Sequence, residues 1–282
     1  MGTFLGHAAP GLMLILYALW NAVKQAHNRV QLAKESHPSP GDDVSNSINY
    51  MKISGCHEQV NGDVKKALRD VPLFRHDVLV GGAFFLLCSI VGALGVIGYG
   101  GWSFIQEGVF RNLNNYQHGT MFVFFGIHFS ITILSKTKYR LEDPGLEKLF
   151  LSLAFFVEAL LFFFHLHDRS ELDVHVHILL IIAILGSALC TLAEVWTPGD
   201  PILENGWVIF LLLHGMWFFQ IGFMLYNPFS AETSWNHDER SSQMMATVMF
   251  TWMLIFSITV NSFVRWVVVK AATTRGNHPE IG

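Results

Sequence analysis

Apolar residues in this chain gather into blocks separated by polar stretches. Seven blocks fall at roughly 8–23, 78–99, 118–135, 147–167, 174–195, 205–226 and 243–268. A helix needs about 20 apolar residues to cross a ~30 Å hydrocarbon layer. The pattern therefore predicts an all-α polytopic membrane protein, a seven-helix transmembrane bundle forming one domain over 1–282. The first block lacks a basic leader and a small-residue cleavage site, so it reads as a retained helix. Residues 24–77 read as a partly flexible loop, with 63–76 (DVKKALRDVPLFRH) as a short interfacial helix. Gly92, Gly95 and Gly98 put small residues near one face of the second span, which suits close packing against a neighbouring helix of the same chain.

Composition agrees with this pattern. The 282 residues are 51% hydrophobic and only 14% charged, with a mean hydropathy of +0.38, whereas soluble domains carry roughly a quarter charged residues. A net charge of −4 supplies no basic field for nucleic acid. The expected surroundings are membrane lipids, and no protein partner is indicated. Cys56, Cys88 and Cys190 form no CxxC and no disulfide framework. Fifteen of the 18 Lys and Arg fall in 24–77, 136–148 and the C-terminal end. Cytoplasmic loops concentrate these residues, so the N-terminus is expected outside and the C-terminus in the cytosol. The loop 24–77 is then cytoplasmic.

This topology brings seven of the 14 histidines to one membrane face: His7, His118, His165, His167, His175, His177 and His237. Ionisable groups at membrane depth are costly and usually face a protein interior. Glu158, within LAFFVEALLFFF, is the clearest case. His165 lies seven residues later on the same stripe, about 10 Å along the helix, with room for a third group between them. His128, His214, Gln220 and Asn261 are further polar groups inside the spans, and each also suits an interhelical hydrogen bond.

Imidazole is the commonest metal ligand and titrates near neutral pH. Several histidines with a carboxylate make a zinc, copper or iron site. In that reading zinc or another transition metal is held by His7, His118, His165, His167 and His177, with Glu158 as catalytic base or ligand. In the other reading the histidines form a hydrogen-bonded, pH-responsive cap. The pairs His165/His167 and His175/His177 point about 200° apart on a continuous helix, so at most one of each faces inward. There is no HExxH and no HxxxH pair on one turn.

Three blocks carry a family resemblance: Gly6-His7-Ala8-Ala9-Pro10-Gly11, Phe156-Val157-Glu158-Ala159 followed by His165-Leu166-His167, and Trp217-Phe218-Phe219-Gln220-Ile221-Gly222-Phe223. In order and spacing the chain resembles the transmembrane protein 45 family. The resemblance implies a multi-pass protein of the plasma membrane or of Golgi and endosomal membranes, with no established activity. Matching positions include His7, His118, Glu158, His165, His167, His177 and Gln220. His214 departs, since relatives carry Gln there.

Four functions fit these residues: a metal-dependent membrane hydrolase acting on lipid, a proton or metal-ion transporter or channel, a haem protein, and a non-enzymatic adaptor. Haem has the least support, and whether the chain is an enzyme stays open at this point.

Overall fold

The computed structural model describes residues 3–36, 72–137, 145–167, 169–229, 235–236 and 239–276. Among these the chain forms seven helices: α1 (Phe4–Ser36), α2 (Pro72–Gly100), α3 (Leu113–Lys136), α4 (Leu146–Phe164), α5 (Glu171–Trp196), α6 (Pro201–Tyr226) and α7 (Arg240–Gly276). Between α2 and α3 a small hairpin pairs β1 (Ile105–Gln106) with β2 (Val109–Phe110) in antiparallel register. Its turn residues Glu107 and Gly108 have φ of 52° and 75°, the left-handed pair of a tight two-residue hairpin turn.

Among the described residues six helices are long and apolar enough to cross a membrane: Phe4–Ala33, Leu79–Gly100, Leu113–Lys136, Glu171–Trp196, Pro201–Tyr226 and Arg240–Ala272. The seventh, α4, has 19 residues, about 28 Å of helix, and carries Glu147, Lys148 and Glu158. Large apolar side chains such as Leu160, Phe163, Trp252 and Phe263 stand exposed on the outer faces, as lipid-facing positions require. The chain is an all-α, multi-pass membrane protein.

Helix ends follow local chemistry. Asp200 caps α6 by accepting from the backbone N–H of Ile202 at 2.8 Å and of Leu203 at 3.2 Å, and Pro201 takes the first helical position. Ser170 caps α5, accepting from Asp173 N at 3.3 Å. One boundary differs from expectation. α1 runs on to Ser36 rather than giving way to a loop at residue 24, because Ala26, Val30 and Ala33 continue a buried stripe beyond the apolar block. The interfacial helix expected over 63–76 falls largely outside the described residues, and 72–76 open α2.

α6 is central, packed against α1, α5 and α7, and α4 lies between α3 and α5. Trp207, Leu211, Trp217, Ile221 and Met224 of α6 are buried, and the Trp217 indole donates to Val176 O on α5 at 2.9 Å. α1 and α6 cross where two glycines meet. A Cβ on Gly11 would lie 2.8 Å from Gly215 O, and one on Gly215 would lie 2.8 Å from Gly11 O. Of the expected glycine stripe, Gly92 packs on the Phe122 ring of α3, while Gly95 has nothing within 4 Å.

Candidate functional site

One end of the bundle gathers imidazoles from four helices. The His7 and His177 rings are 6.1 Å apart between centroids, and the His118 and His165 rings 5.1 Å. Each ring is fixed by its Nδ1. His7 Nδ1 donates to Thr3 O at 2.9 Å, His118 Nδ1 to Asn114 O at 2.7 Å, and His177 Nδ1 to Asp173 O at 2.8 Å. All three acceptors lie four residues back, one turn towards the N-terminus. A carbonyl only accepts, so in the neutral rings Nε2 is left as a lone pair. His165 obeys the same rule through side chains: Nδ1 donates to Gln117 Oε1 at 2.8 Å, and Nε2 accepts from Arg169. Arg169 also forks onto Asp173 at 2.9 and 3.1 Å. His165 is held down to about 3 by burial first and by the Arg169 guanidinium second, so it is neutral near pH 7.

Deeper in the bundle Glu158 on α4 and His214 on α6 form a second polar site. Their Oε1 and Nε2 atoms are 3.5 Å apart, within ion-pair range but not hydrogen-bonded, and Glu158 Oε2 and His214 Nδ1 have no partner. Both side chains are buried. A lone carboxylate there would be severely penalised. Burial of both groups therefore favours a pair with no net charge.

Two phenylalanines separate the sites. Phe162 sits one turn beyond Glu158 and Phe218 one turn beyond His214, with ring centroids 5.7 Å apart. Phe162 lies 5.9 Å from both His118 and His177, and Phe218 lies 6.0 Å from His7 and 5.2 Å from His214. The space that the sequence leaves open between Glu158 and His165 is therefore taken by an aromatic layer. His7, His118, His165 and His177 come together as expected, but the ionic contact of Glu158 is with His214.

Other expected positions fall elsewhere. His167 is exposed. His175 Nε2 meets Thr247 Oγ1 on α7 at 2.8 Å, and His237 lies outside the described residues. Gln220 Nε2 approaches Met249 Sδ at 4.0 Å. His128 Nε2 meets the Tyr17 hydroxyl at 3.0 Å. Among the described residues no group of three or more His, Cys, Asp or Glu is placed to hold a metal ion. Asp173, Arg169 and Gln117 were not among the expected residues. The first two stand at i, i+4 to His177 and His165, a spacing legible in the sequence.

The opposite end is charged. Arg29 binds Glu204 at 2.9 Å, Lys136 binds Glu147 at 3.1 Å, and Lys148 pairs with the buried Glu194. A wider groove of about 640 Å³ lies between α1, α6 and α7, but its lining of Ile15, Met216, Phe219, Met249, Met253, Phe256 and neighbours is apolar.

Residues 144–264 match the profile of a family of unknown function (DUF716). The chain is 32% identical over 142 residues to Transmembrane epididymal protein 1 of Homo sapiens, a match covering 50% of this chain and 52% of the relative. It thus spans about half the length of that relative. Against Transmembrane epididymal protein 1 of Rattus norvegicus it is 26% identical over 265 residues, 91% of this chain and 78% of the relative. Against Transmembrane epididymal protein 1A of Mus musculus the figure is 27% over 263 residues, with the same coverage. These findings replace the expected transmembrane protein 45 assignment: the profile and relatives found carry other names. The three sequence blocks are short and apolar apart from a few residues, so they identify a membrane-helix pattern better than a particular family.

Proposed function

We propose that this protein moves protons through its bundle, with Glu158–His214 as the group that carries the proton. The observation that carries this reading is the pair itself. It is an acid and a base at 3.5 Å, buried, with unsatisfied polar atoms. Polar groups of this kind at membrane depth are expensive, and proton relays are a principal use of them. The pair takes up a proton by becoming carboxylic acid plus imidazolium and returns to neutrality on release. The imidazoles of His7, His118 and His177 at the near end are oriented by their Nδ1 bonds to the backbone and form the entry layer, while the Nε2 of His165 is taken by Arg169. The Lys- and Arg-rich end belongs in the cytosol, so the imidazole end faces the outside or a lumen. The relatives' names, Transmembrane epididymal protein 1 and 1A, state no activity.

Purified full-length protein in liposomes containing a pH dye tests this. Under an imposed voltage the wild type is expected to change the internal pH. Glu158→Gln, which keeps the shape and removes the titrating group, is expected to lower the rate about 100-fold. His214→Gln retains a hydrogen-bonding group and loses less. Equal rates in wild type and Glu158→Gln would overturn the reading.

A further inference from the structure

We infer that Tyr17 and His128 form a second proton-handling station on the same route, between Glu158–His214 and the charged end of the bundle. The inference rests on the proton reading above. The Tyr17 hydroxyl on α1 meets His128 Nε2 on α3 at 3.0 Å. His128 is 3% exposed, and apart from an approach to the backbone of Glu147 on α4 its Nδ1 makes no well-formed hydrogen bond. A poorly satisfied buried nitrogen is costly in a histidine that serves only to tie two helices together.

Position fits the role. His128 lies eight residues, about 12 Å, from the α3 end at Lys136, and ten residues, about 15 Å, from His118. The two stations face each other across three aromatic side chains. Phe155 stands 6.4 Å from His214 and 5.4 Å from Phe125, which is one turn from His128. Trp207, two turns from His214 on α6, stands 6.4 Å from Tyr17. Beyond Tyr17, on the charged side, is a cavity of about 30 Å³ bordered by Tyr17, Asn21, Lys24 and Thr132 among others. That is room for one water with several polar partners.

The transfer balances without any added reagent. A proton arrives at the His128 Nδ1 lone pair. The Nε2–H bond breaks as a new bond forms to the Tyr17 oxygen. The original Tyr17 O–H bond breaks onto the cavity water, which passes the charge on. A hydroxyl donates and accepts at once, so tyrosine suits this place and phenylalanine does not.

Liposome flux of the full chain separates relay from support. Tyr17→Phe and His128→Ala are each expected to slow proton flux about tenfold or more. Added imidazole, which is small and membrane-permeant, is expected to restore His128→Ala and leave Glu158→Gln unchanged. A purely structural histidine would not be restored in rate. Tyr17→Phe removes one oxygen and keeps the ring, so it carries the test if His128→Ala does not fold. If wild type conducts and Glu158→Gln does not, while Tyr17→Phe and His128→Ala run at wild-type rates or imidazole restores nothing, this inference is overturned and the Glu158 reading stands. If wild type itself passes no protons, both fall.

Discussion

His7, His118 and His177 show how a single backbone bond sets the chemistry of a ring. Their Nδ1 atoms are tied to Thr3, Asn114 and Asp173 one turn away on their own helices, so each neutral ring presents Nε2 as an acceptor. His165 carries a measurable consequence. Its folded form resists protonation down to about 3 through burial and Arg169, whereas an unfolded histidine takes a proton near 6.5. The folded-state value is depressed for a base, so the stabilisation is fully present above the unfolded value. It is lost progressively as pH falls from about 6.5 towards 3. The melting temperature of the detergent-purified protein is expected to drop over that window, and the drop is expected to shrink in His165→Gln. An identical pH profile for the variant would remove His165 as the cause.

At the scale of elements, the α1–α6 crossing depends on having no side chain at Gly11 and Gly215. Backbone-to-backbone approach of this kind gains dispersion contacts that lipid cannot replace. Gly215→Val forces the helices apart and is expected to cost about 1–3 kcal/mol, read as a lower melting temperature. Gly95→Val, on a helix face with nothing within 4 Å, is expected to leave it nearly unchanged. The comparison separates the effect of the crossing from the general penalty of a β-branched residue in a helix. The position of Glu158 and Phe162 one turn apart on α4, opposite His214 and Phe218 one turn apart on α6, is what builds the polar pair and the aromatic layer above it.

On the scale of the whole molecule, the helices alternate so that one end collects imidazoles and the other collects Arg29, Lys136, Lys148 and their acidic partners. A sided protein follows, and its orientation is checked by thiol labelling in intact cells. A membrane-impermeant maleimide is expected to miss the native Cys56 until the membrane is opened, and to reach a cysteine placed at Glu107 in the exposed hairpin from outside. Labelling of Cys56 in intact cells, with Glu107→Cys protected, would invert the orientation. The three polar sites follow one another along the bundle: imidazole layer, Glu158–His214, and Tyr17–His128.

Much of this architecture was legible in the chain before folding. Block length and the 3.6-residue period set the helices, since both depend on residues near one another in sequence. The skew of Lys and Arg marked the two ends. The stripe shared by Glu158 and His165 could be read because both lie on one helix, as could every bond to the residue four positions away. The partners across helices could not be read. That Glu158 faces His214, that Phe162 fills the space before His165, and that Tyr17 meets His128 from 111 residues away depend on how each helix is rotated and which helices touch. Those choices are made by packing of small and large side chains over the whole bundle, such as the glycine contact of α1 with α6, and only the tertiary structure decides them.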